Sequence, residues 1–358
     1  HKHLQESSLK PCITARVEAD QFTCLIRKED LDLEALSGLC EWNFAHDGKM
    51  MHILCGCGIF YVEDKPMSIN GMIDRAKIAK RYIKDEYVKP YNIYDTTMKS
   101  HYINRAELTG ELKNGLAQEQ FKVYYQPVID AKTEKIVSAE ALIRWIHPQR
   151  GFVSPAVFIP ALEESGHISE LDFYVTKKVF AFEKERYNQG KKIVPVSINL
   201  SWMDFYDETM MSWIDQNVGE YQKLGIKSRF EITETSFEAM KQNRNNILEA
   251  LQAKGAMTLL DDFGSGYSSY GVLQDYNFDI LKIDMSLVRQ IETNPKSRSI
   301  LKSIIEMAHE LGMKLVAEGA ETEEQVAFLK ENDCDYIQGY YYSKPLPEEE
   351  FIEFMETH

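Results

Sequence analysis

The chain is poor in positive charge. Its 41 lysine and arginine residues are outnumbered by 56 aspartate and glutamate residues, and the formal net charge at pH 7 is -15. Binding to a nucleic-acid backbone depends on a basic face that releases counter-ions, so this charge balance argues against such binding as the main function. An acidic protein can still bind an anionic substrate where metal ions invert the local field.

Long apolar runs and a secretory signal are also absent. No run approaches the length of a membrane span, so we expect a cytoplasmic chain that does not itself contact a membrane. Cys55 and Cys57 form a C-x-C motif, but no second pair follows at zinc-ligand spacing, which favours reduced cysteines in strands. Because the chain begins with "HKHLQESS" rather than Met, we expect a fragment of a longer, membrane-attached or sensor-linked protein.

Two regions of different pattern follow one another. Residues 1–100 combine short alternating stretches with an amphipathic helix near "SINGMIDRAKIAKRYIKDEY", which is typical of a small α+β domain, and residues 101–120 are predicted to form a helical linker. Over residues 121–358, β-rich runs alternate with helical patterns, two of which end on Gly. Eight such runs predict an α/β fold, a (β/α)8 barrel of the TIM type, whereas a doubly wound open sheet would favour fewer strands. The runs are "FKVYYQPVID", "IVSAEALIRW", "VPVSINL", "RFEITET", "AMTLLDD", "DILKID", "KLVAEG" and "DYIQGYYY".

Polar residues lie at the predicted carboxyl ends of most of these strands. In such a barrel these ends meet at one mouth, where active sites are built. A single glutamate there is usually a cap or a surface ion pair, but several converging carboxylates repel one another unless cations are bound. Oxygen ligands favour Mg²⁺ or Mn²⁺, and the lack of histidine at these positions argues against a zinc hydrolase. The residues are Glu140, Asn199, Glu231, Asp261, Asp262, Lys282, Asp284, Glu318 and Gln338.

Asp261 and Asp262 are adjacent, and the glycine-containing segment "FGSGYSS" follows them. The simplest interpretation is a solvated turn after a strand. Adjacent aspartates can also serve two metal ions, with one carboxylate bridging, and paired metals are the usual device for in-line phosphoryl displacement. The sequence therefore predicts a two-metal site for phosphoryl chemistry.

Lys282 allows two interpretations. A barrel lysine at a strand end can form a Schiff base with a carbonyl substrate, which would make the chain an unrelated covalent enzyme. That chemistry needs a desolvated amine, whereas several carboxylates are expected around Lys282. We therefore interpret it as a charged group that orients a water molecule or a phosphate oxygen.

From Phe121 onward the sequence resembles the EAL-domain cyclic di-GMP phosphodiesterases over essentially the whole family length. Eight motifs occur in the family's order and at family-like spacing, and the signature that names the family is Glu140-Ala141-Leu142. The resemblance implies hydrolysis of cyclic di-GMP to linear pGpG by a water molecule that two Mg²⁺ or Mn²⁺ ions activate. The motifs are "YYQPVID", "EALIRW", "SINLS", "EITET", "DDFGSG", "LKIDMSLV", "VAEGAET" and "QGYYYSKPLP".

The resemblance also implies a role for each matching residue. Lys282 would orient the attacking water, Glu318 would be its general base, and Asp261 would bridge the two ions. The residues that would hold the ions are Glu140, Asn199, Glu231, Asp261 and Asp262. Those that would contact the substrate are Gln126, Leu142, Arg144, Asp284 and Gln338, and among them Arg144 would face a phosphate. Those that would support the loop or the metal shell are Glu234, Ser265 and Glu321.

The loop "FGSGYSS" is coupled to metal binding and to dimerisation in this family, so we expect a homodimer through the barrel. The helix after the loop, with Tyr267, Tyr270, Val272 and Leu273, would form the contact, although these side chains could instead pack against their own barrel. Ser265 stands where most relatives have Thr, and its retained hydroxyl predicts little loss.

A catalytically silent receptor for cyclic di-GMP is the alternative function. Receptors in this family usually lose one or more metal ligands. None of the ligand positions is changed in this chain, so we favour the enzyme.

The front region resembles the C-terminal part of a degenerate GGDEF domain. The segment "ARVEADQF" aligns with the Arg-x-Gly-Gly-Asp-Glu-Phe pattern, but Glu18 and Ala19 replace the two glycines and Gln21 replaces the acidic residue. Glycines let the backbone approach GTP closely, and a glutamate puts negative charge where the phosphates would lie. We therefore expect a structural or sensory remnant without diguanylate cyclase activity.

Overall fold

The computed structural model describes residues 9, 13–18, 21–46, 49–62, 67–83, 89–239, 244–264 and 269–358. The chain divides into two compact units, His1–Glu107 and Leu108–His358. The domain boundaries predicted at residues 100 and 120 stay a proposal.

The first unit contains both strands and helices. Strands β1 and β2 pair antiparallel, as do β3 and β4, whereas β5 and β6 pair parallel. Ala19 lies outside the described residues, so the resemblance to a degenerate GGDEF domain stays a prediction. The elements are β1 (Ile13–Glu18), β2 (Gln21–Leu25), a 3-10 turn (Lys28–Asp30), α1 (Leu33–Leu39), β3 (Glu41–His46), β4 (Lys49–Leu54), β5 (Cys57–Ile59), α2 (Ile69–Arg81) and β6 (Tyr91–Ile93), and they are followed by α3 (Thr96–Ala117), which begins in this unit and ends in the next.

The second unit is a closed barrel of eight strands. The strands are hydrogen-bonded in the order β7, β8, β10, β11, β12, β13, β14 and β15, and β15 pairs back to β7. Each strand falls on one of the eight predicted runs, so the predicted (β/α)8 barrel is confirmed. The strands are β7 (Phe121–Asp130), β8 (Ile136–His147), β10 (Val196–Leu200), β11 (Arg229–Thr233), β12 (Met257–Phe263), β13 (Ile280–Ile283), β14 (Lys314–Glu318) and β15 (Tyr336–Gln338), with the short edge strands β9 (Gly151–Val153) and β16 (Leu346–Pro347).

The first barrel strand differs from the all-parallel arrangement of a simple (β/α)8 barrel. Strand β7 runs antiparallel to both of its neighbours. A parallel neighbour needs a crossover of a dozen or more residues, and only residues 131–135 connect β7 to β8. The carboxylate of Asp130 accepts hydrogen bonds from the backbone N–H groups of Lys132 and Thr133 and so closes this tight turn.

Helices connect most of the remaining strands, and their apolar faces pack on the outside of the sheet in one large core. Among the described helices, none is both long and apolar enough to cross a membrane. The helices are α4 (Pro155–Ser165), α5 (Ile168–Asn188), a 3-10 turn (Asp204–Tyr206), α6 (Glu208–Lys223), α7 (Glu234–Ala239), α8 (Arg244–Ala253), α9 (Ser269–Asp275), α10 (Met285–Gln290), α11 (Pro295–Glu310), α12 (Glu323–Glu331) and α13 (Glu348–Thr357).

A second, smaller apolar layer fills the inside of the barrel. Val128, Leu259, Ile280 and Val316 form a buried cluster separate from the large core. They come from β7, β12, β13 and β14, so the layer extends across the barrel. This layer is the apolar floor on which the polar residues of the mouth rest.

Glu183 is a buried carboxyl group on α5, the helix that precedes β10. One of its oxygens accepts the backbone N–H of Val196, at the start of β10, at 3.0 Å. Burial raises the pKa of Glu183 from 4.5 to about 8, although this hydrogen bond and the Arg229 charge lower it. The folded protein therefore retains a proton that the unfolded chain releases near pH 4.5.

We expect Glu183→Gln to stabilise the protein at pH 8. In the wild type, stability contributed by this site falls as pH rises from about 4.5 to about 8, because the unfolded state alone loses the proton. Glutamine still accepts the Val196 N–H but does not titrate, and a shift of this size corresponds to roughly 2–5 kcal/mol. Thermal unfolding of both proteins between pH 5 and 8.5 should show a gap that widens with pH; a constant gap would contradict the assignment.

Candidate active site

The alternation of side chains along each strand brings the polar residues to the mouth. Residues two positions apart on a strand share one face. Leu259, Ile280 and Val316 of the apolar floor are each followed, two positions later, by a charged residue: Asp261, Lys282 and Glu318 respectively. In β7, which runs the opposite way, the corresponding residue precedes the floor, and Gln126 lies two positions before Val128. The floor and the polar layer above it therefore follow from one pattern.

Lys282 lies at the centre of a cluster of four carboxylates, which we call the carboxylate cluster. Its Nζ is 2.5 Å from Glu231, 2.6 Å from Glu318, 3.2 Å from Asp261 and 3.3 Å from Glu140. Only 2% of the lysine side chain is exposed. One buried ammonium is thus shared by four acidic side chains.

The pKa values in the cluster reflect the excess of four carboxylates over one ammonium. Burial raises the pKa of Glu231 to about 8 and that of Glu318 well above its usual value, and the nearby carboxylates add to both effects, while Lys282 opposes them. The pKa of Asp261 is raised for the same reasons. Burial would lower the pKa of Lys282, but the surrounding carboxylates outweigh it and hold the pKa well above the usual value.

This environment argues against the covalent interpretation of Lys282. Schiff-base formation requires a neutral amine, which is normally obtained by desolvation or by a neighbouring cation. Lys282 is instead stabilised as an ammonium by four carboxylates. Its geometry suits a group that orients oxygen atoms.

Glu140 is fixed by side-chain amides on two sides. The Asn199 Nδ2 donates to Glu140 Oε1 at 3.0 Å, and the Gln338 Nε2 donates to Glu140 Oε2 at 2.6 Å. Gln338 also contacts Gln126 Oε1 at 3.3 Å, and Gln126 in turn reaches the Ser343 carbonyl at 3.4 Å. Burial raises the pKa of Glu140, but Lys282 and the amides more than offset it, so the net pKa is lowered.

The position of Glu140 within its strand differs from the prediction. It was expected at the end of β8, yet the strand continues to His147. Glu140 is nevertheless at the mouth, because it lies opposite Gln126 in β7 and Ser197 in β10, two residues before Asn199. Beyond Glu140, β8 continues to pair with β7 as far as Trp145, and its last three residues pair with β9.

A backbone irregularity allows Asp261 and Asp262 to act at the same place. Successive residues of a regular strand point to opposite faces. Here the register between β12 and β13 shifts between Leu260 and Phe263, and Asp262 adopts a left-handed backbone with φ of 59°. The Asp262 N–H donates to Asp261 Oδ1 at 2.8 Å. Burial, Asp261 and Asp284 together raise the pKa of Asp262 to about 6.

Two groups of carboxylates result, and they share Asp261. In each group one oxygen per residue lies within 4.8 Å of the others. All of these donors are oxygen atoms, the set that Mg²⁺ and Mn²⁺ prefer. The first group is Glu140, Glu231 and Asp261, and the second is Asp261, Asp262 and Glu318.

The other predicted residues lie around this centre or outside it. Arg144 is half-buried, and its guanidinium lies over the Tyr124 ring at 5.8 Å, while Leu142 pairs in register with Tyr124.

Asp284 caps α10 by accepting the Ser286 N–H at 2.9 Å. Glu234 is buried at the start of α7, Glu321 is exposed and pairs with Arg289 at 2.7 Å, and Ser265 lies outside the described residues.

The predicted dimer helix is only partly available as a surface. Val272 and Leu273 of α9 are 4% and 8% exposed and belong to the barrel core, so their prediction as contact residues was wrong. Their apolar side chains pack on the outside of their own sheet. A homodimer through the barrel stays a prediction.

Gly319 and Gly339 directly follow β14 and β15 at a place where a Cβ does not fit, and neither was predicted from the sequence to matter. A Cβ on Gly339 would lie 2.1 Å from the Ala320 carbonyl oxygen, and one on Gly319 would lie 2.4 Å from Met285 Cβ. The backbone of Ala320 bonds to Gln338 at 3.3 Å and to Tyr341 at 3.0 Å. Glycine directly after the last polar residue of each strand, in "AEG" and "IQG", was the available signal.

We expect Asp262→Ala to be less stable than Asp262→Asn by about 1 kcal/mol, since alanine tolerates the left-handed conformation poorly and asparagine adopts it readily. Both variants remove the same negative charge, so a loss of charge does not contribute to the difference between them. Urea unfolding in excess chelator would measure the difference. Equal stability would show that the left-handed residue stores no strain.

Known proteins share this architecture. The EAL domain family model matches residues 109–345. The probable cyclic di-GMP phosphodiesterase PdeB of Escherichia coli is 35% identical over 247 residues, which cover 69% of this chain and 47% of PdeB. The cyclic di-GMP phosphodiesterase NbdA of Pseudomonas aeruginosa is 28% identical over 355 residues, which cover 97% of this chain and 45% of NbdA. The structure of the PaMucR phosphodiesterase in a c-di-GMP complex has a TM-score of 0.62 and 29% identity, over 68% of this chain and 99% of that one.

The extent of these matches determines what they establish. This chain spans less than half the length of the two curated relatives. The family model, by contrast, covers more than half of the chain and includes every strand of the closed barrel. The chain therefore belongs to the EAL domain family.

Proposed function

We propose that the chain is a cyclic-guanylate-specific phosphodiesterase that hydrolyses cyclic di-GMP to linear pGpG. The observation that carries the proposal is the pair of oxygen-donor groups sharing Asp261 at the mouth of the barrel. Membership of the EAL domain family supports it. So do two relatives named as a cyclic di-GMP phosphodiesterase and a probable one, and a c-di-GMP complex of a similar phosphodiesterase.

The donor set fits two hard divalent cations, Mg²⁺ or Mn²⁺. Glu140, Asn199, Glu231 and Asp261 would hold the first, and Asp261 and Asp262 the second. Asn199 now presents its NH₂ group to Glu140, so its amide would turn to offer the carbonyl oxygen. Such a pair of ions lowers the pKa of a bound water and neutralises charge that develops on the phosphate.

Glu318 is the residue that we assign as general base. It belongs to the second oxygen-donor group and lies 2.6 Å from Lys282 Nζ. Glu318 takes the proton of the attacking water as the new phosphorus–oxygen bond forms. The bond to the 3′ oxygen breaks, and that oxygen takes a proton from solvent. Lys282 donates to the water or to a phosphate oxygen and fixes the line of attack.

Arg144 is the residue that we assign to a phosphate of the substrate. It lies on the same strand as Glu140, four residues later, and its fork of donors suits a phosphate. Packing over Tyr124 limits the positions of the guanidinium. We assign further substrate contacts to Gln126, Leu142, Asp284 and Gln338, and support of the loop and metal shell to Glu234, Ser265 and Glu321.

Hydrolysis should require Mg²⁺ or Mn²⁺, and Ca²⁺ should inhibit it, because a larger ion binds the same oxygens with looser geometry. Incubation of the chain with cyclic di-GMP and each ion, followed by chromatography of the products, is the test. Full activity in excess chelator would remove the metal from the mechanism. Binding of cyclic di-GMP without hydrolysis in any ion would favour the silent receptor.

Asp261→Ala and Glu140→Ala should each abolish turnover, because each removes an oxygen donor from the proposed first cation. Glu318→Gln should keep metal binding and slow hydrolysis by roughly 10²-fold or more, the usual scale for a lost general base. The exposed Glu306, which lies 3.9 Å from Lys302, offers a matched control, and Glu306→Ala should retain full activity. Wild-type rates in Asp261→Ala would end this assignment.

A further inference from the structure

The ammonium of Lys282 occupies the position among the carboxylates that a divalent cation would need. Nζ lies within 3.3 Å of Glu140, Glu231 and Asp261, which are the three carboxylates of the first oxygen-donor group. It also contacts Glu318 of the second group. The described carboxylates of the first group therefore already share one cation, which belongs to the chain itself.

A metal ion and the ammonium compete for these oxygens. Mg²⁺ takes its ligands at about 2.0–2.1 Å, closer than any of the four lysine contacts. An ion bound to the first group would lie within a few ångströms of Nζ, where two positive charges repel strongly inside a protein. Lysine has a flexible four-carbon stem, so its ammonium can withdraw while the backbone of β13 stays in place.

We infer that Lys282 is an exchangeable internal counter-ion, which holds the carboxylate cluster together in the metal-free protein and withdraws from Glu231 and Asp261 when a divalent cation binds. This inference rests on the metal site proposed above. It gives Lys282 a role before any chemistry: the lysine keeps the metal-free barrel stable and weakens metal binding at the same time. Metal occupancy and the Lys282–Glu231 contact are then alternative states of one site.

The test compares the wild type with Lys282→Met, which keeps the length and apolar stem but removes the charge. Mn²⁺ is titrated into chelator-stripped protein by calorimetry, and thermal unfolding is followed in chelator and in saturating Mn²⁺. Lys282→Met should bind Mn²⁺ at least about tenfold more tightly, since a competing positive charge has gone. Its Tm should fall below that of the wild type in chelator, and the difference should shrink or reverse in Mn²⁺.

Lys302→Met is the matched control. Lys302 is exposed on α11, so this variant makes the same change in net charge away from the cluster. Both its Mn²⁺ affinity and its Tm should equal those of the wild type. A tenfold gain in this control as well would assign the effect to net charge and overturn the inference.

Each remaining outcome also decides the question. A folded Lys282→Met that binds Mn²⁺ no more tightly than the wild type overturns the inference. If the variant does not fold in chelator, Mn²⁺ must restore its circular dichroism spectrum, and failure to do so overturns it too. If the wild type hydrolyses cyclic di-GMP and Lys282→Met binds Mn²⁺ with unchanged affinity, only the counter-ion role is removed. If the wild type neither binds Mn²⁺ nor hydrolyses cyclic di-GMP, the proposed function is removed as well.

Discussion

The burial of like charges is the constraint on which the rest of this structure depends. Four carboxylates inside a barrel would each be costly to desolvate, and together they would repel one another. Lys282 compensates for part of that charge, and the amides of Asn199 and Gln338 satisfy Glu140 directly. The apolar floor formed by Val128, Leu259, Ile280 and Val316 excludes water from below. The stability of the barrel and the reactivity of the site therefore depend on the same few side chains, because the arrangement that compensates the charges also brings them together.

The antiparallel first strand gives the mouth its asymmetry. In the parallel strands a functional residue follows the floor residue, whereas in β7 it precedes it, which places Gln126 beside Gln338 and opposite Glu140. The neighbouring strands β15, β7 and β8 carry Gln338, Gln126, Glu140 and Arg144, whereas Glu231, Asp261 and Glu318 lie on β11, β12 and β14. Neutral and cationic donors suit the binding of a phosphodiester, and the clustered carboxylates suit the binding of cations. The reversed direction of β7 thus accounts for the place of Gln126 beside these residues.

The sequence predicts much of this fold because its signals are local. The β-rich runs locate all eight strands, two Gly-terminated patterns coincide with α8 and α11, and the strand ends place Asn199, Asp261, Lys282 and Glu318 at the mouth. What the patterns miss depends on pairing between distant segments. The left-handed Asp262 arises where the register between β12 and β13 shifts, and the four contacts of Lys282 come from four different strands. Val272 and Leu273 are apolar in a short helix, and sequence alone does not say whether such residues face the core or a partner.

The glycines after Glu318 and Gln338 carry a consequence for how genes of this kind are interpreted. Both sit where a methyl group would collide with neighbouring atoms, and the loops that they allow hold the ends of β14 and β15 in register. A single-nucleotide change in either codon can replace glycine by a larger residue and displace Glu318 or Gln338 while every acidic residue is retained. An inventory of intact ligand codons would then count such an allele as active. Genotypes of this barrel should therefore be scored at Gly319 and Gly339 as well as at its carboxylates.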